Sequence, residues 1–465
     1  MRKLVEIMDG IEVLDLQGIL DINISSVCLN SFDSGDGGLF VAIVGAVADG
    51  HDFIDQAIEK GAKVVVHEKD LPEYKDGVTY VKVADTKSVV GLIATRFFGN
   101  PSTKFKLVGV TGTNGKTTIA TLLYKLFRKL GYKAGLIGTV ANIINDVSVE
   151  AARTTPDAIA LNQLLAQMAD SGCEYVFMEV SSHAVELGRI NGLEFAGGIF
   201  TNLTQDHLDF HQSMEDYRDA KKKFFDMLPE QAFALSNADD ASGEYMLSTT
   251  QASKHFYALQ KDAEFNERLA SKLIGEFNAY NVLAVYASAC LLGQDKAKVK
   301  EVIATLDGAP GRFMATKSTS GVTGIVDYAH TPDAVENVLR TINNMKGTGK
   351  LVTVIGCGGD RDKGKRPQMA KMAYDMSDIV VLTADNPRSE KVEDILADMQ
   401  AGLPANLESK VFIISDRREA IARACQMAGS GDFVALLGKG HEDYQEVNGT
   451  KTHFDDMEEL KKNFA

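Results

Sequence analysis

The sequence predicts an α/β protein of three domains, in which mostly parallel sheets are connected by helices. Its 465 residues are more than one hydrophobic core usually organises. Apolar runs typical of strands alternate with helical patterns along the chain, as expected for parallel strands with helical crossovers. Clusters rich in Gly and Pro interrupt this alternation at residues 99–102 and 308–311. We therefore expect domains at residues 1–102, 103–310 and 311–465.

Composition and charge limit the function classes. A hydrophobic content of 45% is sufficient for packed cores, and the net charge of −15 argues against a nucleic-acid or anionic-membrane partner. The five cysteines form no Cys-x-x-Cys pair, so neither a disulfide framework nor a zinc site is expected. The first residues form a charged segment rather than an apolar leader, and no run approaches the length of a membrane span. We expect a cytoplasmic protein without membrane insertion.

The first domain is expected to be small. Residues 39–44 are typical of a strand, a turn follows at 49–51, residues 53–60 have a helical pattern and residues 63–67 form a second strand pattern. This succession predicts a small α/β unit.

The segment at residues 107–118 predicts a site for nucleotide phosphates. A strand-like apolar run leads into a glycine loop, and a helical pattern follows. Glycines let backbone N–H groups point at an anion, and the start of the helix adds its positive end. The strict Walker spacing would place a glycine at position 110, where the chain has Val110, so this loop is a variant. The alternative is a glycine turn with a chance lysine. The candidate phosphate-binding residues are Gly112, Thr113, Asn114, Gly115, Lys116, Thr117 and Thr118.

Polar residues also follow two later strands of the middle domain. Strands are predicted at 133–137, 175–180 and 198–201, with a helix over 157–171 behind a possible cap at Thr155-Pro156. If the last two strands share the sheet of the glycine loop, Glu179 and His207 can reach the metal of ATP. For His207 taken alone, a hydrogen-bonded loop histidine is the alternative.

Three glycine- and charge-rich segments follow strands of the third domain. Strands are predicted at residues 324–327, 351–355, 379–383, 411–414 and 433–437. The polar segments 356–366, 385–388 and 438–442 each follow one of them directly. Because ligands bind at the carboxyl ends of parallel strands, we expect the three segments to converge, although each alone could be a solvated turn.

Together these segments resemble the Mur ligases of peptidoglycan synthesis. The resemblance rests on residues 111–118, 179–183, 206–211, 327–332, 356–362 and 385–388, which occur in the family's order. It implies a small α/β N-terminal domain that binds UDP, a central P-loop-type mostly parallel sheet with helices on both faces that binds ATP, and a Rossmann-like C-terminal domain that binds an amino acid. It also implies a ligase that activates a carboxylate as an acyl phosphate and releases ADP and phosphate when an amine attacks.

The resemblance implies roles around the glycine loop. Lys116 would hold the β- and γ-phosphates, Thr117 and Glu179 would bind Mg²⁺, and a second Mg²⁺ near His207 would screen the carboxylate from the γ-phosphate. In the family a lysine in the pattern Tyr-x-x-Ala-Lys carries a carbamate and serves the metal, and here that lysine is Lys221. The following Lys222 and Lys223 are expected on a solvated helix face. The nucleotide would be framed from the far side by Asn278, Arg312, Asp327 and His330.

The implied substrates are UDP-N-acetylmuramoyl-L-alanyl-D-glutamate and meso-2,6-diaminopimelate. The positions that match the first are Leu29, Ser31, Gly45, Thr154, Thr155, Ser181 and Arg189. The positions that match the second are Arg361, Asp385, Asn386, Pro387, Arg388, Gly438 and Glu442. Arg388 and Arg361 offer bidentate partners for the distal carboxylate that distinguishes this amino acid from lysine. Phe32 and Leu187 depart from the family pattern, which has Arg and often Gln there.

Other functions stay open on the sequence alone. A lysine-adding Mur-type ligase or a folylpolyglutamate synthetase would share the ATP half without needing the segment 385–388. A P-loop switch or transport ATPase would hydrolyse nucleotide without an added amino acid. The shifted glycine spacing and the charged loops of the third domain argue against that class. A monomer is expected.

Overall fold

The structure is a computed structural model that describes residues 1–45, 48–151, 153–404 and 410–464. Within these ranges three large sheets, of five, eight and six strands, follow one another along the chain, and each packs between its own hydrophobic clusters. The predicted α/β class is confirmed. Among the described residues, no helix combines the length and apolar character needed to cross a membrane.

The N-terminal part contains a small, mixed sheet. The strands of this part of the chain, five of which form the sheet, are β1 Arg2–Lys3, β2 Asp15–Gln17, β3 Asn23–Ile24, β4 Val27–Cys28, β5 Gly38–Val41, β6 Ala62–His67 and β7 Thr79–Lys82. Its helices are α1 Leu4–Ile7, α2 Ile54–Glu59 and α3 Thr86–Phe97. The sheet order is β2-β7-β6-β5-β4, where β2 pairs antiparallel with β7 and the other pairs are parallel. The strand predicted over 39–44 ends earlier, at Val41, and beyond it the Gly45 N–H donates to the carbonyl of Ala48 at 2.9 Å.

The middle part carries the glycine loop on its sheet. Its strands are β8 Lys106–Thr111, β9 Ala134–Ile137, β10 Asn142–Ile144, β11 Val147–Val149, β12 Tyr175–Glu179, β13 Gly197–Phe200, β14 Phe233–Asn237 and β15 Ser253–Tyr257. Its helices are α4 Lys116–Lys129, α5 Ala158–Asp170, α6 Ser182–Glu186, α7 Met214–Asp226, α8 Gly243–Met246, α9 Glu276–Leu291 and α10 Lys296–Ile303. The sheet order is β11-β10-β9-β12-β8-β13-β14-β15, with parallel pairing from β9 to β15.

Both faces of this middle sheet are covered by helices. Neighbouring strand residues point to opposite faces, so Leu107 packs in the core with α5 and α7 while Val108 packs with α4 and α9. Strands β12 and β13 flank β8 directly. The expectation that Glu179 and the segment after β13 share a sheet with the glycine loop is therefore met.

The start of α5 differs from the sequence prediction. The cap predicted at Thr155-Pro156 is wrong, because the carboxylate of Asp157 accepts the N–H groups of Ile159 and Ala160 at 3.1 and 3.0 Å. Thr155 instead donates its hydroxyl to the carbonyl of Glu179 at 2.8 Å and so fastens this helix entry to the end of β12.

The C-terminal part has a second parallel sheet with an antiparallel edge. Its strands are β16 Met314–Lys317, β17 Thr323–Asp327, β18 Leu351–Cys357, β19 Ile379–Ala384, β20 Val411–Ile413, β21 Phe433–Leu437 and the hairpin β22 Tyr444–Val447 and β23 Thr450–His453. Its helices are α11 Pro332–Met345, α12 Lys365–Met376, α13 Val392–Gln400, α14 Arg417–Met427 and α15 Asp456–Phe464. The sheet order is β16-β17-β21-β18-β19-β20. The segments 356–366, 385–388 and 438–442 therefore lie at or directly beyond the carboxyl ends of three adjacent strands, β18, β19 and β21.

Candidate active site

The glycine loop between β8 and α4 is packed too tightly for side chains at two positions. Gly112 has φ of 143°, and a Cβ there would lie 1.8 Å from the hydroxyl of Thr201. Gly115 has φ of 89°, and a Cβ there would lie 2.6 Å from Oδ1 of Asn281. Both positions require glycine on grounds of conformation and space. The loop is thereby held against β13 and α9, with α4 starting at Lys116.

Lys116 folds back over this loop. Its ammonium donates to the carbonyls of Gly112 and Thr113 at 2.9 and 2.8 Å. Burial lowers the pKa of Lys116, and the carboxylates of Glu179 and Asp206 oppose that shift. A partly buried cation over a helix N-terminus is the arrangement that an anion such as a phosphate group stabilises.

Thr117 and Glu179 form a buried oxygen pair beside the loop. The Thr117 hydroxyl donates to Oε2 of Glu179 at 2.9 Å, and the backbone N–H of Thr139 donates to Oε1 at 2.7 Å. The guanidinium of Arg312, from the third domain, donates to the Thr117 hydroxyl at 3.0 Å. Hydroxyl and carboxylate oxygens are ligands that Mg²⁺ prefers. In the described parts of the chain no group of three or more His, Cys, Asp or Glu side chains could hold a metal alone. The pair therefore fits a Mg²⁺ ion bound mainly through phosphate oxygens.

Lys221 of α7 is buried next to the same loop. Its ammonium donates to the Gly112 carbonyl at 2.9 Å and lies 4.3 Å from the ring centroid of Tyr217. Burial holds the pKa of Lys221 well below its ordinary value, and the neighbouring charge of Lys116 lowers it further. Its neighbours behave differently: Lys223 is exposed as expected, whereas Lys222 is largely covered and pairs with Asp226 at 2.8 Å.

Asp206 and His207 follow β13 at the same edge of the sheet. His207 has φ of 56°, and its N–H donates to Oδ1 of Asp206 at 2.9 Å. Burial lowers the pKa of His207 to about 3, with Asp206 opposing and Lys116 reinforcing the shift. Burial raises the pKa of Asp206, but the charge of Lys365 together with His207 and His330 outweighs this effect and holds the pKa of the carboxyl below its usual range. At neutral pH the site thus contains a neutral imidazole, which can ligate a metal, beside a carboxylate.

Contacts between the second and third domains close over this edge. The ammonium of Lys365 lies 3.4 Å from Oδ1 of Asp206, and the side-chain amide of Asn114 donates to Asp333 at 2.8 Å. One cleft of about 250 Å³ is lined by both domains, from Lys116 of the glycine loop to Arg388 of the third domain. The two halves predicted from the sequence are therefore joined in a single cleft.

The four residues expected to frame the nucleotide separate into two groups. Arg312 and His330 line the cleft. Asn278 and Asp327 are buried and bonded to nearby backbone: Asn278 donates to the carbonyl of Ile274 at 2.8 Å, and Asp327 accepts the N–H of Phe313 at 2.7 Å. The structure does not place these two on the cleft wall, and their contacts are those of residues that hold its backbone.

A second cavity of about 490 Å³ adjoins the glycine loop on its other side. Asn114 and Gly115 belong to its wall, together with Tyr257, Phe277 and Tyr280. An aromatic cavity that begins at a phosphate loop is suited to a nucleoside.

The loops after β18, β19 and β21 form the third-domain side of the cleft. Asn386 donates to Glu442 at 2.8 Å and accepts from the ammonium of Lys439 at 3.2 Å. Lys439 is fully buried, and its Nζ lies 3.7 Å from Asp385 and 3.6 Å from Glu442. Burial raises the pKa of Glu442 to about 7, and the nearby charge of Asp385 contributes to the shift. Carboxylates and cations lie side by side in this pocket, as expected for a site that binds a zwitterion.

The two arginines predicted for this pocket differ in their surroundings. Arg388 is half-buried, has φ of 52° and donates to the carbonyl of Gly359 at 2.8 Å. Arg361 also lines the cleft, but its side chain is exposed and donates to the adjacent carbonyl of Asp360 at 3.0 Å. Pro387, which follows Asn386, and Gly438, which follows β21, complete the predicted set, and Gly438 lines the cleft. Because Arg388 is less exposed than Arg361 and bonds to a neighbouring loop, its side chain is the more firmly positioned of the two.

A third, larger cavity of about 1120 Å³ lies between the N-terminal and middle domains. Leu29, Gly45 and Arg189 line it, as does Leu187, one of the two departures from the family pattern. Thr154 and Ser181 line the main cleft, and Thr155 lies buried between them and Arg189, whose guanidinium donates to the Thr155 carbonyl at 2.8 Å. Ser31 is buried and donates to Gln56 at 2.6 Å, while Phe32 is exposed.

Sequence reasoning assigned no role to Asp206, Lys365 or Lys439, although all three line or support the cleft. Each lies in a segment that follows a strand and was singled out for its charge. A charged residue in a glycine-rich loop is usually exposed to solvent. Whether it is buried depends on which strands are neighbours in the sheet, and a single sequence does not reveal that order.

Comparison with known proteins finds similarity along the whole chain. It matches the Mur ligase family catalytic domain over residues 23–98, the Mur ligase middle domain over 110–289 and the Mur ligase glutamate ligase domain over 311–440. It is 50% identical over 481 aligned positions to the UDP-N-acetylmuramoyl-L-alanyl-D-glutamate–2,6-diaminopimelate ligase of Bacteroides fragilis, covering 100% of this chain and 99% of that protein.

Two solved structures extend the comparison. A UDP-N-acetylmuramoyl-L-alanyl-D-glutamate–2,6-diaminopimelate ligase superimposes with a TM-score of 0.70 at 31% identity, covering 100% of this chain and 98% of the other. The Mycobacterium tuberculosis folylpolyglutamate synthase complexed with ADP and AMPPCP gives a TM-score of 0.61 at 17% identity over 77% of this chain and 92% of that chain, which shows a shared fold alone. The glycine loop, the closed cleft and the full-length identity lead to one conclusion: the chain belongs to the Mur ligase family.

Proposed function

We propose that this protein is an ATP-dependent ligase that adds meso-2,6-diaminopimelate to UDP-N-acetylmuramoyl-L-alanyl-D-glutamate, a step of peptidoglycan synthesis. The observation that carries the proposal is the cleft shared by Lys116 and Arg388, since a ligase must bring an activated carboxylate and an amine together. Full-length identity of about one half to a ligase of that specificity supports the choice of substrates.

The glycine loop binds the nucleotide in this proposal. The ammonium of Lys116 exchanges its carbonyl partners for phosphate oxygens, and the N–H groups at the start of α4 point at the same anion. Arg312 reaches the loop from the third domain and adds a second cation when the domains are closed. The adenosine extends into the cavity walled by Tyr257, Phe277 and Tyr280.

The residues present fit Mg²⁺, with Thr117 and Glu179 as protein ligands of one ion and His207, together with Lys221 once modified, beside a second. Bound there, the second ion would supply positive charge that offsets repulsion between the γ-phosphate and the substrate carboxylate. His207 can serve because its imidazole is neutral at physiological pH. Glu179 is kept in place by Thr139 and Thr117, which leaves its rotamer little freedom.

The surroundings of Lys221 support its carbamylation. A carbamate forms when a neutral amine attacks carbon dioxide and loses a proton, and the depressed pKa of Lys221 keeps the neutral form available. The product places an anion where the amine of Lys221 was, so Lys116 then has an opposite charge beside it. The modified side chain would present oxygens toward the metal and explain a buried lysine without a carboxylate partner in hydrogen-bond range among the described residues.

Selection of the amino acid belongs to the third domain. The half-buried guanidinium of Arg388 receives the distal carboxylate, and Glu442 with Asp385 receives an ammonium. The UDP-linked substrate is expected in the cavity lined by Leu29, Gly45 and Arg189, with its terminal carboxylate directed past Ser181 toward the glycine loop. The domain limits proposed with these roles are residues 1–102, 103–310 and 311–465.

Phosphate release tests this function directly. The enzyme is supplied with ATP, Mg²⁺ and UDP-N-acetylmuramoyl-L-alanyl-D-glutamate, and then with either meso-2,6-diaminopimelate or L-lysine. We expect release that depends on the first amino acid and is far slower with the second. Release independent of any amino acid would indicate an ATPase, and preference for lysine would indicate the lysine-adding specificity.

A further inference from the structure

Lys365 is a buried cation whose bonding capacity is largely unused. It begins α12, its side chain is 7% exposed, and its Nζ lies 3.4 Å from Oδ1 of Asp206. Among the described residues no other acceptor lies within hydrogen-bond distance of that ammonium. A lysine has three donors, and leaving buried donors without partners is costly. The arrangement points to an anionic ligand that supplies the missing acceptors.

The position of Lys365 indicates which anion this is. It is anchored in the domain that carries Arg388, yet it reaches a carboxylate of the middle domain, and it lines the same cleft as Lys116 and Thr117. The start of α12 adds the positive end of a helix at this point. A group bound by Lys365 therefore lies where the nucleotide side of the cleft meets the amino-acid side.

We propose that Lys365 is a further catalytic residue, whose ammonium binds the phosphoryl group of the acyl phosphate and stabilises the charge that leaves with it. This inference rests on the proposed ligase function. In the step concerned, the amine nitrogen forms a bond to the carbonyl carbon, and the bond from that carbon to the phosphate oxygen breaks. The electron pair leaves with the phosphate, which also takes the surplus proton of the nitrogen as hydrogen phosphate.

The place of Lys365, between Asp206 and the loops that carry Arg388, assigns it to this second half of the reaction. The cation that holds the phosphates of ATP, Lys116, belongs to the middle domain and needs no contribution from α12. Charge on the departing phosphate develops when the amine attacks, and the amine is delivered by the same domain as Lys365. A preformed cation at that place lowers the barrier because it need not reorganise during the step.

The test separates formation of the acyl phosphate from its consumption. Lys365→Met is compared with wild type and with Lys363→Met, a nearby lysine whose side chain is 67% exposed. Enzyme, ATP, Mg²⁺ and the UDP-linked dipeptide are mixed without amino acid, and borohydride reduction of quenched samples measures acyl phosphate. Meso-2,6-diaminopimelate is then added, and the rate of tripeptide formation is followed.

We expect Lys365→Met to form acyl phosphate to within about twofold of wild type and to consume it about 100-fold more slowly, with Lys363→Met unchanged in both. Consumption at the wild-type rate, or a parallel loss of formation and consumption, would overturn the role of Lys365. Wild-type enzyme that forms no acyl phosphate would instead contradict the proposed ligase function. If Lys365→Met does not bind ATP, Lys365→Gln retains a polar end group and is judged by the same two rates.

Discussion

The glycine loop and the proposed amino-acid pocket, formed by the loops after β18, β19 and β21, lie in one cleft but are built in opposite ways. The loop is a single run of residues, 112–118, whose proposed anion-binding groups are largely backbone N–H groups and one lysine. The pocket is assembled from three loops that are separated in sequence and adjacent in the sheet, and its binding groups are side chains. A contiguous backbone site is specified locally, whereas a side-chain site depends on the order of the strands beneath it.

The two regions also differ in what holds them in shape. At the glycine loop, the absence of Cβ atoms at Gly112 and Gly115 allows close packing against Thr201 and Asn281. Below the amino-acid pocket, buried ionic contacts connect the strand ends: the fully buried Arg417 donates to both oxygens of Asp456 and to the carbonyls of Ala384 and Leu437. Removing one partner from such a network is costly, because the remaining charge stays buried without compensation.

The largest expected effect concerns selection by the side-chain site. Arg388→Ala should reduce discrimination between meso-2,6-diaminopimelate and lysine from about 10⁴-fold to near none, because the discriminating guanidinium is gone. The φ of 52° is equally unfavourable for alanine and arginine, so backbone strain is unchanged. The measurement is kcat/KM for each amino acid, with the KM for ATP expected to stay constant. Lys391→Ala, at an exposed position, is the control. Unaltered selectivity would remove Arg388 from the pocket.

The next effect concerns the backbone site. Lys116→Met should slow ADP formation about 10³-fold with every amino acid alike, because the cation over the phosphates is lost while the loop keeps its conformation. Lys106→Met, at the exposed start of β8, should change nothing. A Lys116 variant that altered amino-acid preference instead would contradict the division of labour between the two regions.

The same division explains what the sequence could predict. Local pattern predicts the strands β12, β18 and β21 and the glycine loop between β8 and α4. The geometry of parallel sheets predicts the convergence of segments 356–366, 385–388 and 438–442. The burial of Lys365 and Lys439 could not be predicted, since both look like solvated charges until the neighbouring strands are known. The same holds for Asn278 and Asp327, whose side chains are bonded to backbone behind the cleft wall.

A third prediction tests the ionic support of the pocket. Arg417→Met should lower the free energy of unfolding of the third domain by about 3 kcal/mol or more, because it leaves Asp456 buried without its partner. Denaturant unfolding monitors the loss. Arg417→Met combined with Asp456→Leu should recover part of it, because no lone charge then remains buried. If the Arg417→Met variant were as stable as wild type, the pair would not contribute to the stability of the strand ends.

A fourth prediction concerns pH at the pocket. Since burial places the pKa of Glu442 near 7, the carboxylate that receives an ammonium is lost as pH falls through that value. The kcat/KM for the amino acid should therefore decrease about tenfold per pH unit below about pH 6.5, while the KM for ATP stays level. Glu442→Gln should be slower at all pH values and lack this inflection. An inflection that persists in Glu442→Gln would assign it to another group.

The smallest expected effect distinguishes local capping from the buried network on the same helix. Asp416 caps α14 by accepting the N–H groups of Arg418 and Glu419 at 2.7 and 3.1 Å, and it is exposed. Asp416→Ala should cost about 1 kcal/mol of unfolding free energy, as the loss of a helix cap does, and leave amino-acid selection intact. The Arg417→Met substitution, at the next position, is expected to cost several times more unfolding free energy. Equal losses at the two positions would mean that α14 contributes to stability through its helical turn alone, and that the buried charges beneath the pocket add nothing.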